Sequence, residues 1–278
     1  MNDQAASLRK LKQLVDKTKI SNENPEEFLQ EIIRPTPFTS IALIWPDQLF
    51  SSFPDITNWI SSLMQLSPRA HYWDQAGMID SKSLPKTQVR LKYPTPVRLE
   101  SQMTPLTVIP HQPTLIELFK KSDGIKIDFL RHIIRSLKPA SEMWVSLKAS
   151  ELKKYHSLLH STDAVCIMVP DNPDSILQCY EIVKSIHLSG YFSPVGLLDF
   201  KCETPSESEL HSIRIKNVAK QFLALDLVPS GVVLSNSRIV EPDSSISFRS
   251  RLQSVDSICK DFLFCLCENI IYPIPGLE

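Results

Sequence analysis

The stretch Ser161-Thr-Asp-Ala-Val-Cys-Ile-Met-Val-Pro-Asp-Asn-Pro-Asp-Ser-Ile176 shows the organisation of the chain most clearly. Its centre, Ala164 to Val169, is an unbroken apolar run, typical of a strand buried on both faces of a sheet. A turn with two prolines follows, and we expect a helix from Ser175 to Leu188. The apolar residues at helical spacing in that helix are Ile176, Leu177, Tyr180, Val183 and Ile186.

The alternation of apolar strands and helices continues on both sides of this stretch. Further strands are predicted at Thr39–Trp45, Arg69–Trp73, Val89–Lys92, Val97–Leu99, Leu106–Ile109, Met143–Leu147, Pro194–Asp199 and Leu227–Leu234. Further helices are predicted at Ile56–Leu66, Thr114–Lys121, Lys126–Leu137, Ser150–His160, Ser206–Leu223 and Ser247–Ile271. The order predicts an α/β fold, a mostly parallel sheet flanked by helices.

Composition excludes several classes of protein. The chain has 278 residues and a formal net charge of -1, so no strong positive field would recruit nucleic acid. We expect no transmembrane segment and no export signal, which favours the cytoplasm. Six cysteines at irregular spacing are best explained as free thiols.

The first 37 residues differ from the rest of the chain. Asn2 or Asp3 can cap a helix that runs to about Lys17, with Leu8, Leu11 and Val15 on one side. Residues 18–37 form a polar linker and a short helix that ends before an Arg-Pro-Thr-Pro stretch. We therefore divide the chain into an N-terminal helix (1–17), a linker with a short helix (18–37) and an α/β domain (38–278).

Three stretches resemble the MinD/ParA class of deviant Walker-type NTPases, a class with a P-loop NTPase-like fold. They are residues 161–176, quoted above, residues 221–233 (QFLALDLVPSGVV) and residues 110–119 (PHQPTLIELF). The first is similar to a strand, loop and helix start of that class. The second is similar to its late helix, loop and strand, and the third to the loop and helix after its middle strand.

The N-terminus resembles one branch of this class. Residues 3–9 match the Asp-Gln-Ala-x-x-Leu-Arg signature of FlhG-type regulators of flagellar number at Asp3, Gln4, Ala5, Leu8 and Arg9. In that branch the helix stimulates FlhF, a GTPase related to the signal-recognition particle. The resemblance implies that Gln4 enters the partner's active site in trans, that Ala5 and Leu8 dock in an apolar groove, and that Arg9 pairs with a carboxylate.

The loop after the first strand departs from the class. A phosphate-binding loop needs glycines, consecutive backbone N–H donors and lysines. Residues 45–54 (WPDQLFSSFP) contain no glycine and no lysine, and their two prolines remove N–H donors. We therefore expect a pseudo-ATPase without a cofactor, with a degenerate nucleotide loop at Pro46, Asp47, Gln48, Ser51 and Ser52.

Other candidate residues favour ordinary structural roles. Asp74 is interpreted as a solvated loop acid, and His156 and His160, four residues apart, as a solvated helix face and not a metal site. The last helix lacks a basic face, so any membrane contact would be weak or indirect.

The family resemblance also suggests partners beyond an FlhF-type GTPase. Flagellar C-ring components, a flagellar transcription regulator and a second copy of the chain are candidates, and the cell pole or the inner membrane face is the candidate location. Two alternatives stay open: a nucleotide-binding MinD-like ATPase with an altered loop, and a general assembly scaffold.

Overall fold

A computed structural model describes residues 39–47, 49, 60, 70–79, 96–99, 106–111, 129, 132–133, 136–137, 140, 142–170, 173–191, 193–202, 205–234 and 239–240. Nine strands form one sheet. They are β1 (Thr39–Trp45), β2 (Ala70–Trp73), β3 (Val97–Leu99), β4 (Leu106–Ile109), β5 (Glu142–Lys148), β6 (Ala164–Pro170), β7 (Val195–Cys202), β8 (Val228–Leu234) and β9 (Ile239–Val240). Three α-helices are described in full: α1 (His156–Ser161), α2 (Pro173–Leu188) and α3 (Pro205–Leu223).

The strands lie in the order β3-β4-β2-β5-β1-β6-β7-β8-β9. Every pairing from β4 to β8 is parallel, and only the two outer strands, β3 and β9, run antiparallel to their neighbours. The predicted fold class, a mostly parallel sheet flanked by helices, is confirmed. Five predicted segments lie outside the described residues: the strand Val89–Lys92, the helix Thr114–Lys121, the N-terminal helix, the linker and the last helix.

Both faces of the sheet are buried, as the continuous apolar strands predict. In β1, Ala42 and Ile44 face one hydrophobic cluster, whereas Ile41, Leu43 and Trp45 face the other. The first cluster is the larger and contains side chains from α1, α2 and α3. Residues 129, 132, 133, 136 and 137 are helical, which agrees with the helix predicted at 126–137.

One helix prediction needs correction. The helix predicted from Ser150 begins only at His156, because a 3-10 turn at Ala149–Glu151 comes first and Tyr155 has a non-helical backbone (φ -106°, ψ 24°). In α2, Leu177 is 69% exposed and does not belong to the core. Leu177 directly follows Ile176 in the chain, so its side chain lies further round the helix and faces solvent.

Candidate functional site

The site follows from the position of β1 in the sheet. From β1 the chain first builds β2, β4 and β5 on one side and then crosses to β6, β7 and β8 on the other. Open α/β sheets bind ligands outside the carboxyl ends of their strands, at the place where the strand order reverses in this way. The loop that leaves β1 at Pro46 lies at that place, next to the carboxyl end of β5.

The first turn of this loop is held by an internal hydrogen bond and by a hydrogen bond to the turn that follows β5. Leu49 donates its N–H to the carbonyl oxygen of Pro46 over 3.0 Å, which makes a tight turn. Asp47 is exposed, and its Oδ1 accepts a 2.8 Å hydrogen bond from the hydroxyl of Ser150, in the 3-10 turn that follows β5. A carboxylate therefore lies at the carboxyl end of β1, and Pro46 offers no N–H there. Gln48, Ser51 and Ser52 lie outside the described residues.

Asp74, at the carboxyl end of β2, is buried and not solvated, so its interpretation as a solvated loop acid is wrong. Its side chain is 1% exposed. It accepts hydrogen bonds of 2.8 Å from the backbone N–H groups of both Met78 and Ile79. The physical reason is that residues 74–79 fold back over the sheet edge and bury Ala76 and Ile79 with the carboxylate between them.

Burial raises the pKa of the Asp74 carboxyl above its usual value, and the two backbone hydrogen bonds offset only part of this effect. The neighbouring Tyr72 is also completely buried. Its phenol pKa is raised, first by burial and second by the negative charge of Asp74. The carboxyl end of β2 is therefore a low-dielectric region around the Asp74 carboxyl group.

Ser146, in the middle of β5, connects this region to the centre of the sheet. Its hydroxyl oxygen accepts the N–H of Ala76 over 3.1 Å. The same oxygen lies 3.2 Å from Asp74 Oδ1 and 3.3 Å from the carbonyl oxygen of Trp73, and its one proton can be donated to either. Ser146 thus holds the loop of residues 74–79 against β5.

A second set of hydrogen bonds covers the same edge. The Gln75 side-chain amide donates to the hydroxyl oxygen of Tyr155 over 2.7 Å. His111, directly after the end of β4, donates from Nδ1 to the Gln75 carbonyl oxygen over 2.8 Å. Gly77 adopts φ +68°, a conformation that favours glycine. A Cβ atom at this position would lie 3.5 Å from Cγ of the His111 ring. Loops from β2, β4 and β5 are therefore joined into one polar layer.

The sequence analysis did not select Ser146, Gln75, His111 or Tyr155 as site residues. One signal was available, since Asp74 and Gln75 directly follow a short buried strand, where side chains of α/β proteins commonly converge. Within the described residues no group of three or more His, Cys, Asp or Glu side chains is placed to hold a metal ion. Asp3, Gln4, Ala5, Leu8 and Arg9 lie outside the described part of the chain.

The histidine pair on α1 is placed differently from the prediction. His156 is 8% exposed and not on a solvated face, and burial lowers its pKa. Its ring stacks on His160 with the centroids 3.9 Å apart. His160 Nε2 lies 3.2 Å from the hydroxyl of Ser189. The pair packs against the end of α2, because α1 and α2 lie on the same face of the sheet.

The chain is similar in structure to several proteins of known structure. The MinD cell division protein of Aquifex aeolicus is 10% identical over 86% of this chain and 99% of its own, with a TM-score of 0.45. The ParA protein of pNOB8 is 10% identical over 84% and 98%, with a TM-score of 0.46. A plasmid partition protein of Borrelia burgdorferi is 13% identical over 84% and 98%, with a TM-score of 0.43.

No protein-family model and no curated protein matches the chain. Among the described residues, no helix is both long enough and apolar enough to cross a membrane.

Proposed function

We propose that this chain is a non-catalytic regulator of flagellar number and placement, which activates an FlhF-type GTPase through its N-terminal helix. The resemblance at Asp3, Gln4, Ala5, Leu8 and Arg9 supports the choice of partner. The folded domain supports the non-catalytic part of the proposal, through the loop that follows β1.

The observation that carries this second part is the hydrogen bond between Asp47 and Ser150. A triphosphate site after β1 would need backbone N–H groups and cations facing the anion. Here the first loop residue is Pro46, the second is an acid, and the acid is held in place from β5. Coulomb repulsion and missing donors both oppose phosphate binding at this position.

The polar layer next to β1 supports the same conclusion. A catalytic acid that manages Mg²⁺ must reach the ion, but Asp74 is buried and each of its two oxygens accepts a hydrogen bond from a backbone N–H group. Binding an ion there would compete with the hydrogen bonds that hold residues 74–79 in place. We infer that this edge of the sheet is structural.

In the proposed mechanism the chemistry takes place on the partner. The side-chain amide of Gln4 would orient the water that attacks the γ-phosphate of GTP, a role that positioned glutamines have in GTPases. Ala5 and Leu8 would dock as apolar anchors of a helix in a groove, and Arg9 would pair with a partner carboxylate. No residue of this chain acts as a catalyst in cis.

The folded domain would then serve as a platform. Flagellar C-ring components, a flagellar transcription regulator or a second copy of the chain would bind it, at the cell pole or the inner membrane face. Under the scaffold alternative the domain binds such partners, but the N-terminal helix has no effect on a GTPase. Under the ATPase alternative it binds Mg²⁺ and ATP through the altered loop.

GTP hydrolysis by the FlhF-type GTPase of the same genome tests the proposal. The full chain should accelerate turnover at least about tenfold, since positioning one water-orienting group contributes effects of this order or larger. Gln4→Ala should lose the acceleration and keep the binding, and Gln13→Ala, a glutamine outside the signature, should behave like the wild type. Equal rates with and without the chain would reject GTPase activation and favour the scaffold.

A further inference from the structure

A groove lies between α1 with its preceding turn and the second half of α2. It encloses about 550 Å³, and its apolar lining includes Leu152, Leu159, Ile186 and Leu188. Three of these side chains are buried and form its floor, whereas Leu188 is 72% exposed. The remaining lining residues are polar or charged: Lys153, His156, Glu181, Lys184, Ser185 and Ser189. A groove with an apolar floor, a charged rim and a large exposed leucine at its edge is the kind of surface that receives one face of an amphipathic helix.

The chain enters the sheet beside this groove. Ser40, the second residue of β1, donates from both its N–H and its hydroxyl to Asp163 Oδ2, each over 2.8 Å. Asp163 lies two residues after Ser161, the last residue of α1. The end of α2 is at the same place, because the hydroxyl of Tyr191 donates to the carbonyl oxygen of Thr162 over 3.2 Å.

The ends of three elements therefore meet where the strands of the sheet begin: the start of β1, the end of α1 and the end of α2. A six-residue helix such as α1 spans only about 9 Å. The first described residue, Thr39, consequently lies at the same end of the sheet as the groove. The linker of residues 18–37, with its predicted short helix, could span roughly 50 Å, so it allows the preceding helix to reach any part of the groove.

We propose that the groove holds the N-terminal helix of the same chain, residues 1–17. Leu8, Leu11 and Val15 recur at the spacing of one helix face, which is the pattern of anchors that such a groove accepts. A tether of this length gives an effective concentration in the millimolar range, so even a weak contact is populated within one molecule.

This docking has a regulatory consequence, which rests on the proposed function. Leu8 serves both the groove and the partner GTPase, so the two contacts exclude each other. While the helix lies in the groove, Gln4 is withheld from the partner, and binding of the partner releases the groove. The groove would then be free for another protein only when the GTPase is engaged.

Hydrogen–deuterium exchange of the full chain tests the docking without any GTPase. In Leu11→Asp, peptides that cover residues 152–159 and 181–189 should exchange at least about threefold faster than in the wild type. Leu11 is not one of the residues assigned to the partner. The matched control is Gln13→Asp, which adds the same charge on the opposite side of the predicted helix and should leave exchange unchanged.

The reciprocal variant is placed in the groove. Leu188→Asp should speed exchange in peptides of residues 2–17, whereas Leu177→Asp should not. Both leucines are on α2 and are similarly exposed, at 72% and 69%, so both variants should fold. Unchanged exchange in Leu11→Asp and Leu188→Asp would overturn the docking, and protection that disappears on dilution would assign the groove to a second copy instead. A failed GTPase assay with these exchange effects present would reject only the proposed function.

Discussion

The hydroxyl of Ser150 donates a 2.8 Å hydrogen bond to the carboxylate of Asp47, which joins the loops that follow β5 and β1. The two residues are 103 positions apart in the chain and meet because β1 and β5 are parallel neighbours in register, with Trp45 opposite Lys148. The bond places a carboxylate at the carboxyl end of the central strand.

We expect that ATP with Mg²⁺ does not bind at this edge. Titration of the full chain in a calorimeter should give no saturable heat up to about 1 mM, which corresponds to less than about 4 kcal/mol of binding free energy. Asp47→Asn should not restore binding, because Pro46 still lacks an N–H. A MinD-type ATPase provides the positive control, and micromolar binding with turnover would contradict the prediction.

Asp74 should make stability depend on pH in an unusual direction. Its folded pKa is raised above the usual 3.8, so the folded state holds the proton more tightly than the unfolded state. Its favourable contribution is present below pH 3.8 and is lost as the pH rises through the raised pKa.

Asp74→Asn cannot titrate. The free energy of unfolding of the wild type, minus that of the variant, should therefore decrease as the pH rises through this range. Urea denaturation at several pH values measures the difference. A difference that grows with pH would mean that the carboxylate is stabilised in the folded protein.

Asp163 should contribute measurably to stability, since one of its oxygens accepts two hydrogen bonds from the buried Ser40. Asp163→Ala leaves both donors without this acceptor and should lower the free energy of unfolding by about 2 kcal/mol. Asp163→Asn keeps one acceptor oxygen and should cost about 1 kcal/mol or less. Urea denaturation followed by tryptophan fluorescence checks the order, and equal stability of all three proteins would disprove it.

Ala224 is a position where a glycine should stabilise the protein. It follows α3 with φ +52°, and the N–H of Leu225 donates back to the carbonyl oxygen of Ala219 over 3.4 Å. This is the arrangement in which a helix end usually carries glycine. Ala224→Gly should raise the free energy of unfolding by about 0.5–1 kcal/mol, because the left-handed conformation costs alanine about that much.

Thermal denaturation checks this change. Because the Ala224 side chain is exposed, its removal causes no large loss of packing that would mask the effect. The matched control is Lys220→Gly, one turn earlier within α3, which should lower stability by about 1 kcal/mol. A decrease in both variants would contradict the prediction.

Local sequence pattern was enough to predict eight of the nine described strands, and only the two-residue β9 was missed. The strand expected at Ala164–Val169 is observed at Ala164–Pro170, and the strand expected at Thr39–Trp45 has these same bounds. Such runs are apolar on both faces whatever strands lie beside them, so each strand can be predicted from its own residues alone.

The polar layer could not be predicted in the same way. Whether Asp74 is solvated depends on Ala76 and Ile79 folding back over β5, and its contact with Ser146 joins residues 72 positions apart. The burial of His156 likewise depends on how α2 packs against α1. Periodicity describes one element at a time, and these contacts are set by the order of strands in the sheet.

The insertion of β5 between β1 and β2 also determines when the chain can fold during synthesis. The first two strands never touch each other, since each pairs with β5, which begins at Glu142. Until the ribosome has released that segment, both apolar strands emerge without their common neighbour, and a nascent chain in that state exposes surface that chaperones bind.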